Sequence, residues 1–498
     1  MSNPLKRLAG QTALYGISTI VGRMLNYLLV PLYTYQFSRP DDFGVITEFY
    51  AYIAFLNIVL IYGMETALFN FSARRDDGRL VYSTALLSLW ITTALFLAIA
   101  LWQSSTLADL LGYRSNPQYV IWTAWILALD SIAALPFAAL RQQQRAGRFA
   151  LLKTINILVN VAASVFLIGI CKWAYESGRQ EGLLGWVATV YRPEIGIGYV
   201  FVANLIASAL TLVMLLPDLW VRLRFDPALL RKMLTYALPL MLAGLAGMVN
   251  DMLGRVLLKY LSPGENALEQ LGIYGACYKM SVLMIIFIQA FRYAAEPFFF
   301  AHYKQQDSRI LYAVVMNWFV IACSIILLAV MMNMSWIQYF IGANYRSGIE
   351  VVPILLLANL CLGVFFNFSI WYKLTQKTYF GAYLTFWGAG VTVFLNFLWV
   401  PWLGYMGSAW ATLVCYASMA WLSALLGQHY YAIPYDYRRI IGYPALSVTL
   451  ILAVERISAN SQYSRLADFL IHNAVLLIFI MGIFFVEKFG VRRAYLRG

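Results

Sequence analysis

Eight ionisable side chains lie well inside otherwise apolar segments of this 498-residue chain. A charge at the middle of a membrane costs roughly 2.5–3.5 kcal/mol on insertion scales, so we expect all eight to face the interior of a helix bundle. Cations in such a place can bind an anion, and carboxylates can carry a proton or bind an ion. The four cations are Arg23, Arg255, Lys279 and Arg292, and the four acids are Glu65, Asp130, Asp251 and Glu296.

Half of these residues have the spacing of ion pairs on one helix face. Asp251 and Arg255 are four residues apart, and so are Arg292 and Glu296. Pairs with this spacing can neutralise each other locally. Because cations and acids are equal in number, structural pairing remains an alternative to function for the whole set. For Asp130 we favour a role in helix packing.

The acids and amides also offer sites for a coupling ion. Glu65 lies toward the predicted cytoplasmic end of its span, where it can carry a proton or pair with Arg23. A Na⁺ site needs several oxygen ligands with little competing water. Hydrogen bonds between packed helices are the alternative role for such residues. The oxygen ligands available for Na⁺ are those of Asn250, Asp251, Asn396 and Thr412.

The composition indicates that nearly the whole chain is membrane-embedded. Hydrophobic residues make up 62% and charged residues 12%, whereas soluble domains are roughly 45–50% apolar and roughly 25% charged. A helical span needs about 20 mostly apolar residues. We therefore predict an all-α integral membrane protein with about fourteen spans. They are 11–36, 47–71, 80–102, 119–140, 150–171, 195–217, 234–260, 270–300, 310–334, 351–372, 379–400, 406–427, 440–458 and 467–487.

The distribution of basic residues supports this count and gives an orientation. With both termini in the cytoplasm, the inside segments hold 23 Lys and Arg residues and the outside segments hold 9. Short cytoplasmic loops carry such an excess. The net charge of +13 is therefore a topology signal. Nucleic-acid binding is not expected, because that would need one contiguous basic face.

Two similar halves are predicted. GIGYVFVANL (196–205) and GYMGSAWATL (404–413) align without gaps and open the sixth span of each half. Halves of six spans share one orientation and typically enclose a central cavity whose access alternates. The predicted parts are an N-lobe at 1–217, a cytoplasmic linker at 218–233, a C-lobe at 234–427, and a last helix pair with a basic tail at 437–498.

Several segments resemble one family of transporters. TIVGRMLNYLLVPLYTYQFSRPDDFGVITEFY (19–50) is similar to the first-span signature of the bacterial polysaccharide flippases. LGIYGACYKMSVLMIIFIQAFRYAAEPFFF (271–300) resembles their eighth span, and YRSGIEVVPILLL (345–357) also matches in order and position. The resemblance implies the superfamily of the multidrug MATE exporters and the peptidoglycan-precursor flippase. It also implies movement of undecaprenyl-diphosphate-linked oligosaccharide, an O-antigen, capsule or exopolysaccharide unit, to the outer leaflet of the cytoplasmic membrane.

The resemblance gives the intramembrane cations a task. A diphosphate must cross an apolar layer, and the planar guanidinium group of arginine binds phosphate with two parallel hydrogen bonds. We predict a cationic path of Arg23, Arg292, Lys279 and Arg255, with Glu65, Asp251 and Glu296 as candidates for ion coupling. The expected partners are the lipid-linked oligosaccharide, membrane lipids and other membrane proteins of polysaccharide assembly.

The source of energy narrows the class. The chain contains no G-x-x-x-x-G-K-[ST] phosphate loop, so we predict a secondary transporter without a resident cofactor or metal. The driving force is an ion gradient of H⁺ or Na⁺, the membrane potential or removal of the product outside. We do not expect this protein to be an enzyme. Two alternatives stay open at this point. One is an ion-coupled small-molecule exporter of the MATE type, and the other is a membrane-embedded polysaccharide polymerase or ligase.

Overall fold

The computed structural model describes residues 20, 22, 24–72, 77–178, 182–220, 222–264, 266–303, 305, 307–460 and 464–495. These residues are helical or irregular, without a strand. Thirteen helices among them are long and apolar enough to cross a membrane. The first predicted span, 11–36, falls largely outside the described residues. The prediction of about fourteen spans in an all-α membrane protein is confirmed.

The chain divides into two compact units, Met1–Gly275 and Ala276–Gly498. The first unit contains helices α1 to α12 and most of α13. These are α1 Leu29–Gln36, α2 Pro40–Ile61, α3 Met64–Ser72, α4 Gly78–Trp102, α5 Ser104–Leu110, α6 Gln118–Gln142, α7 Ala146–Ser164, α8 Lys172–Glu176, α9 Gly182–Val190, α10 Gly198–Leu219, α11 Pro227–Met248, α12 Gly254–Leu261 and α13 Ala267–Met280.

Local sequence signals fix where these helices begin. Asp77 caps α4 by accepting a hydrogen bond from the Leu80 backbone at 3.0 Å. Asp226 caps α11, which has Pro227 at its first position. Both signals are typical of helix N-termini, because the side chain satisfies a backbone donor that the helix leaves free. The core of the unit lies where α3, α4, α6, α10 and α11 meet, at apolar side chains such as Met64 and Leu86.

Two long helices contain π-helical turns. One joins α7 to α8 at Val165–Cys171, and the other joins α11 to α12 at Val249–Leu253. Such turns are rare in proteins overall, and those that occur are often found at functional sites. The segment between the predicted spans 150–171 and 195–217 holds the short helices α8 and α9.

The second unit contains the remaining helices, and their order follows the predicted spans. They are α14 Val282–His302, α15 Ser308–Met332, α16 Met334–Ile337, α17 Val351–Phe368, α18 Ile370–Leu374, α19 Tyr379–Leu403, α20 Tyr405–Tyr430, α21 Tyr437–Asn460 and α22 Arg465–Tyr495.

Within the second unit, α20 packs extensively on both α17 and α19. The last pair, α21 and α22, packs on α15. His472 of α22 hydrogen-bonds to the Met332 carbonyl oxygen at 3.0 Å. Arg439 of α21 binds the buried carboxylate of Glu487 of α22 at 2.6 Å. The C-terminal helix pair is therefore an integral part of this unit.

The predicted linker at 218–233 is shorter in the structure. Helix α10 continues to Leu219 and α11 begins at Pro227, and the residues described between them, 220 and 222–226, are non-helical. The two predicted lobes stay a prediction, because the division by packing falls at Gly275 and follows a different criterion from the internal repeat.

Candidate functional site

Three charged side chains meet in the second unit around Glu296. Arg292 lies one helical turn away on α14, with its guanidinium 3.7 Å from the Glu296 carboxylate. Lys373 of α18 approaches the same carboxylate at 2.6 Å. The predicted pairing of Arg292 with Glu296 is confirmed. Lys373 lies between the predicted spans 351–372 and 379–400, and the sequence did not predict its contact with Glu296.

The Arg292 guanidinium also lies over an aromatic ring. Its central carbon is 3.8 Å from the centre of the Phe366 ring on α17, a distance at which the cation and the ring attract each other. The Arg292 side chain remains 38% exposed. Since Glu296 balances only one of two cations, this cluster, Arg292–Glu296–Lys373, carries one excess positive charge and leaves Arg292 accessible to an anion.

Glu65 lies in the first unit and binds Arg141. The Arg141 guanidinium, at the end of α6, donates to the Glu65 carboxylate at 2.5 Å. The same guanidinium lies near the rings of Phe69 and Phe149. Arg23, the predicted alternative partner, lies outside the described residues. The Glu65 carboxylate is therefore ion-paired within the first unit.

A break in the second span places Glu65. Helix α2 ends at Ile61, Tyr62 and Gly63 adopt left-handed φ values of 36° and 72°, and α3 begins at Met64. The backbone of Gly63 lies so close to the Ala237 carbonyl oxygen that a side chain would collide with it. The Tyr62 hydroxyl group meets the Ser88 hydroxyl at 2.7 Å. Both neighbours hold the break in position.

The other predicted cations occupy separate places. Arg255 is buried on α12, and its guanidinium donates to the Met252 sulfur at 3.0 Å. Asp251 is exposed on the preceding π-helical turn. Lys279 is partly exposed near the end of α13. The continuous path of cations stays a prediction.

The predicted Na⁺ ligands are distributed over both units. Asn250 is buried in the π-helical turn of the first unit. In the second unit, the Asn396 amide donates to the Thr392 carbonyl oxygen at 2.7 Å, and the Thr412 hydroxyl group donates to the Ser408 carbonyl oxygen at 2.9 Å. Among the residues that the structure describes, no group of three or more His, Cys, Asp or Glu side chains is placed to hold a metal ion.

Asp130 joins two helices. Its carboxylate accepts a hydrogen bond from the Ser208 hydroxyl group at 2.7 Å, which links α6 to α10. This contact agrees with the packing role that the sequence favours for Asp130.

The sequence did not point to Glu48, a deeply buried charge of the first unit. Its side chain on α2 is fully buried, and Lys259 of α12 binds its carboxylate at 2.7 Å. Tyr52 and Tyr113 each donate to it at 2.5 Å. Lys259 also donates to the Leu111 carbonyl oxygen at 2.7 Å. The predicted span 234–260 ends one residue after Lys259, and the buried Glu48 carboxylate binds this lysine within α12.

Tyr113 keeps this cluster hydrogen-bonded. Burial first and the nearby Glu48 carboxylate second raise the pKa of the Tyr113 hydroxyl group far above its ordinary value. Tyr113 therefore stays protonated and remains a donor. The cluster ties α2 to α12 and to the loop after α5.

Close to this cluster, α2 touches α13 with almost no side chain between them. A Cβ atom on Gly44 would overlap the Leu268 carbonyl oxygen, and one on Gly272 would overlap the Pro40 carbonyl oxygen. Only glycine permits so close an approach of two backbones. These two glycines, together with Gly275 beside Thr47, form what we call the glycine seam.

A match to a family model shows the family to which the chain belongs. A family model described as polysaccharide biosynthesis protein matches residues 8–302. The chain belongs to this family. A search of curated proteins gives no match.

Solved structures show which fold this family member has. The chain is similar to the lipid II flippase MurJ in an inward closed conformation, with a TM-score of 0.68 and 12% identity over 96% of this chain and 99% of that one. It is also similar to an inward-facing multidrug resistance MATE family transporter of the MOP superfamily, with a TM-score of 0.64 and 14% identity over 88% and 99%. The chain thus has the same fold as these two proteins, and the resemblance that its sequence segments indicated is confirmed.

Proposed function

We propose that this protein is a secondary transporter that flips undecaprenyl-diphosphate-linked oligosaccharide from the inner to the outer leaflet of the bacterial cytoplasmic membrane. Membership in a polysaccharide biosynthesis family supports the saccharide. The fold shared with a lipid II flippase supports a lipid-linked substrate. The cargo is an O-antigen, capsule or exopolysaccharide unit, and both termini lie in the cytoplasm.

The observation that carries this proposal is the excess positive charge at Arg292–Glu296–Lys373. Lys373 takes the Glu296 carboxylate at 2.6 Å, whereas Arg292 stays 3.7 Å from it and is partly exposed. The diphosphate can therefore bind Arg292 without first displacing a tight ion pair. The Phe366 ring lies against the guanidinium, with its centre 3.8 Å from the central carbon. Arg23, Arg255 and Lys279 extend the proposed path.

The coupling ion of the proposed cycle is H⁺ or Na⁺. Protonation of Glu65 would release Arg141, which the carboxylate holds at 2.5 Å. A Glu65→Gln variant should then lose the pH dependence of transport. Transport by this variant that is as fast and as pH-dependent as in the wild type would remove Glu65 from the coupling step.

A MATE-type exporter of small molecules is the second candidate, because MATE transporters share the fold. A direct comparison separates the two. Purified protein in liposomes without ATP should move fluorescent lipid-linked oligosaccharide to the outer leaflet and should leave cationic drugs behind. Drug transport without lipid movement would favour the exporter, and a strict need for ATP would contradict secondary transport.

A further inference from the structure

A large polar pocket lies in the first unit. It has a volume of about 990 Å³ and is formed by the start of α4, the end of α6, the end of α10 and residues 220, 222 and 224 of the linker. Ligand pockets in proteins commonly measure about 300–1,000 Å³. The polar and aromatic lining residues are Asp77, Arg79, Tyr82, Gln142, Gln143, Arg145, Asp218, Trp220, Arg222 and Arg224.

The linker that forms one wall is held in place, although it is not helical. The Ser83 hydroxyl group of α4 donates to the Arg224 carbonyl oxygen at 2.7 Å and accepts from the Arg224 backbone N–H at 2.5 Å. The Asp226 backbone N–H donates to the Thr84 hydroxyl oxygen at 3.3 Å. The wall is thus ordered before any ligand arrives, which lowers the entropic cost of binding.

Both carboxylates that line the pocket already have partners. Asp218 binds Arg148 at 2.6 Å and Arg145 at 3.6 Å. Asp77 accepts from the Leu80 backbone as the cap of α4. Neither carboxylate therefore forms an ion pair with Arg79, Arg222 or Arg224 in the part of the chain that the structure describes.

Three arginines of the pocket have a positive charge that no carboxylate pairs with in the described part of the chain. Arg79, Arg222 and Arg224 are exposed and make no ion pair with any residue that the structure describes. Three guanidinium groups around one cavity, with the amides of Gln142 and Gln143 beside them, match a ligand with several anionic oxygens.

We propose that this pocket binds the phosphate or diphosphate group of an anionic ligand. Such a group occurs in two sources, a lipid headgroup and a soluble polyphosphate. Trp220 is 90% exposed at the rim, and amphipathic rings in such positions lie at the level of lipid headgroups. This site is distinct from Arg292–Glu296–Lys373 and does not depend on the proposed function.

A matched pair of variants separates a built site from general basicity. Arg222→Gln/Arg224→Gln removes two charges from the pocket. Arg231→Gln/Lys232→Gln removes two charges from the exposed first turns of α11, outside the lining. Both pairs belong to the same basic segment, so a non-specific attraction of anions weakens equally in the two variants.

The first arm uses inorganic pyrophosphate with detergent-purified protein at constant ionic strength. We expect pyrophosphate to raise the melting temperature of the wild type and of Arg231→Gln/Lys232→Gln. Its apparent affinity for Arg222→Gln/Arg224→Gln should fall at least tenfold. Arg222→Lys/Arg224→Lys should give an intermediate affinity, because lysine keeps the charge without the two-pronged geometry.

The second arm uses nanodiscs of phosphatidylcholine that contain a minor fraction of cardiolipin or phosphatidylglycerol, because basic clusters at a membrane surface bind anionic headgroups. Native mass spectrometry counts the lipids retained by each variant. Selective loss of cardiolipin or phosphatidylglycerol from Arg222→Gln/Arg224→Gln identifies a lipid headgroup as the source, and a response to pyrophosphate alone identifies a soluble anion. Absence of both responses in the wild type, or equal losses in the two double variants, would overturn the proposal. An unchanged melting temperature without ligand shows that each variant is folded.

Discussion

Arg292 is the residue on which the transport proposal depends most directly. We expect Arg292→Ala to abolish lipid flipping at a normal protein level, because the excess cation of its cluster is lost. Arg292→Lys should retain part of the activity, since lysine cannot bind phosphate with a planar fork. Flipping in liposomes measures both.

Arg309→Ala is the control for this prediction. Arg309 lies on α15 of the same unit, where its guanidinium stacks on Tyr431 at 4.6 Å, and its loss should leave flipping unchanged. Normal transport by Arg292→Ala would remove this residue from the substrate path.

Glu48 and Lys259 provide a residue-scale prediction about stability. Removing one partner of a buried ion pair costs about 3–5 kcal/mol, whereas replacing both by apolar residues is often close to neutral. Lys259→Met should therefore lower the melting temperature more than Glu48→Leu/Lys259→Met does. Thermal unfolding in detergent measures the difference. A double variant that is less stable than Lys259→Met alone would show that the hydrogen bonds from Tyr52 and Tyr113 to the carboxylate stabilise the protein more than the ion pair with Lys259 does.

Contacts within one helix could be predicted from the sequence, whereas contacts between residues that are far apart in the sequence could not. The spacing of Arg292 and Glu296 along one helix predicted their contact, because i,i+4 neighbours share a face. Lys373 is far away in sequence, and only the packing of α18 near α14 brings it to Glu296. The burial of Glu48 was not predicted, because this residue lies near the end of a predicted span, where a charged side chain can reach water.

The elements follow the hydrophobic pattern closely, since span length and apolar composition are properties of a single segment. The break at Tyr62–Gly63 is different. A Tyr-Gly dipeptide does not by itself stop a helix, and the left-handed backbone is held by contacts with Ala237 and Ser88. Those partners come from other helices, so the second span was predicted as continuous.

The glycine seam allows a test of movement at the element scale. A Cβ atom on Gly275 would lie 3.3 Å from the Cβ of Thr47, close to the separation of about 3.5–4.5 Å in disulfides. In Thr47→Cys/Gly275→Cys, we expect oxidation to link α2 to α13 and to stop transport if the predicted lobes must part there. Reduction should restore it.

Each single cysteine variant serves as the control for this link, because neither can form it. The native cysteines are free, and four of the five are buried. Undiminished transport by the fully oxidised pair, with the link verified by mass spectrometry, would show that the seam stays closed during the cycle.

The whole molecule has an orientation that basic residues predict. Asp307 and Ser177 are exposed on loops of opposite predicted sides. In intact spheroplasts we expect Ser177→Cys to react with a membrane-impermeant maleimide and Asp307→Cys to react only after permeabilisation. The reverse pattern would place the termini outside and would contradict the proposed direction of transport.

The fixed linker has a consequence for proteolysis. Its arginines, Arg222 and Arg224, look like the obvious tryptic sites of the first unit, yet a protease must pull several residues of backbone into its cleft. Ser83 holds the Arg224 backbone by two hydrogen bonds, so the native protein should be cut there slowly. Ser83→Ala should be cut several times faster, as followed by gel electrophoresis, and equal rates would show that other contacts protect the linker. A non-helical linker with two arginines would thus be rigid enough to resist digestion by trypsin.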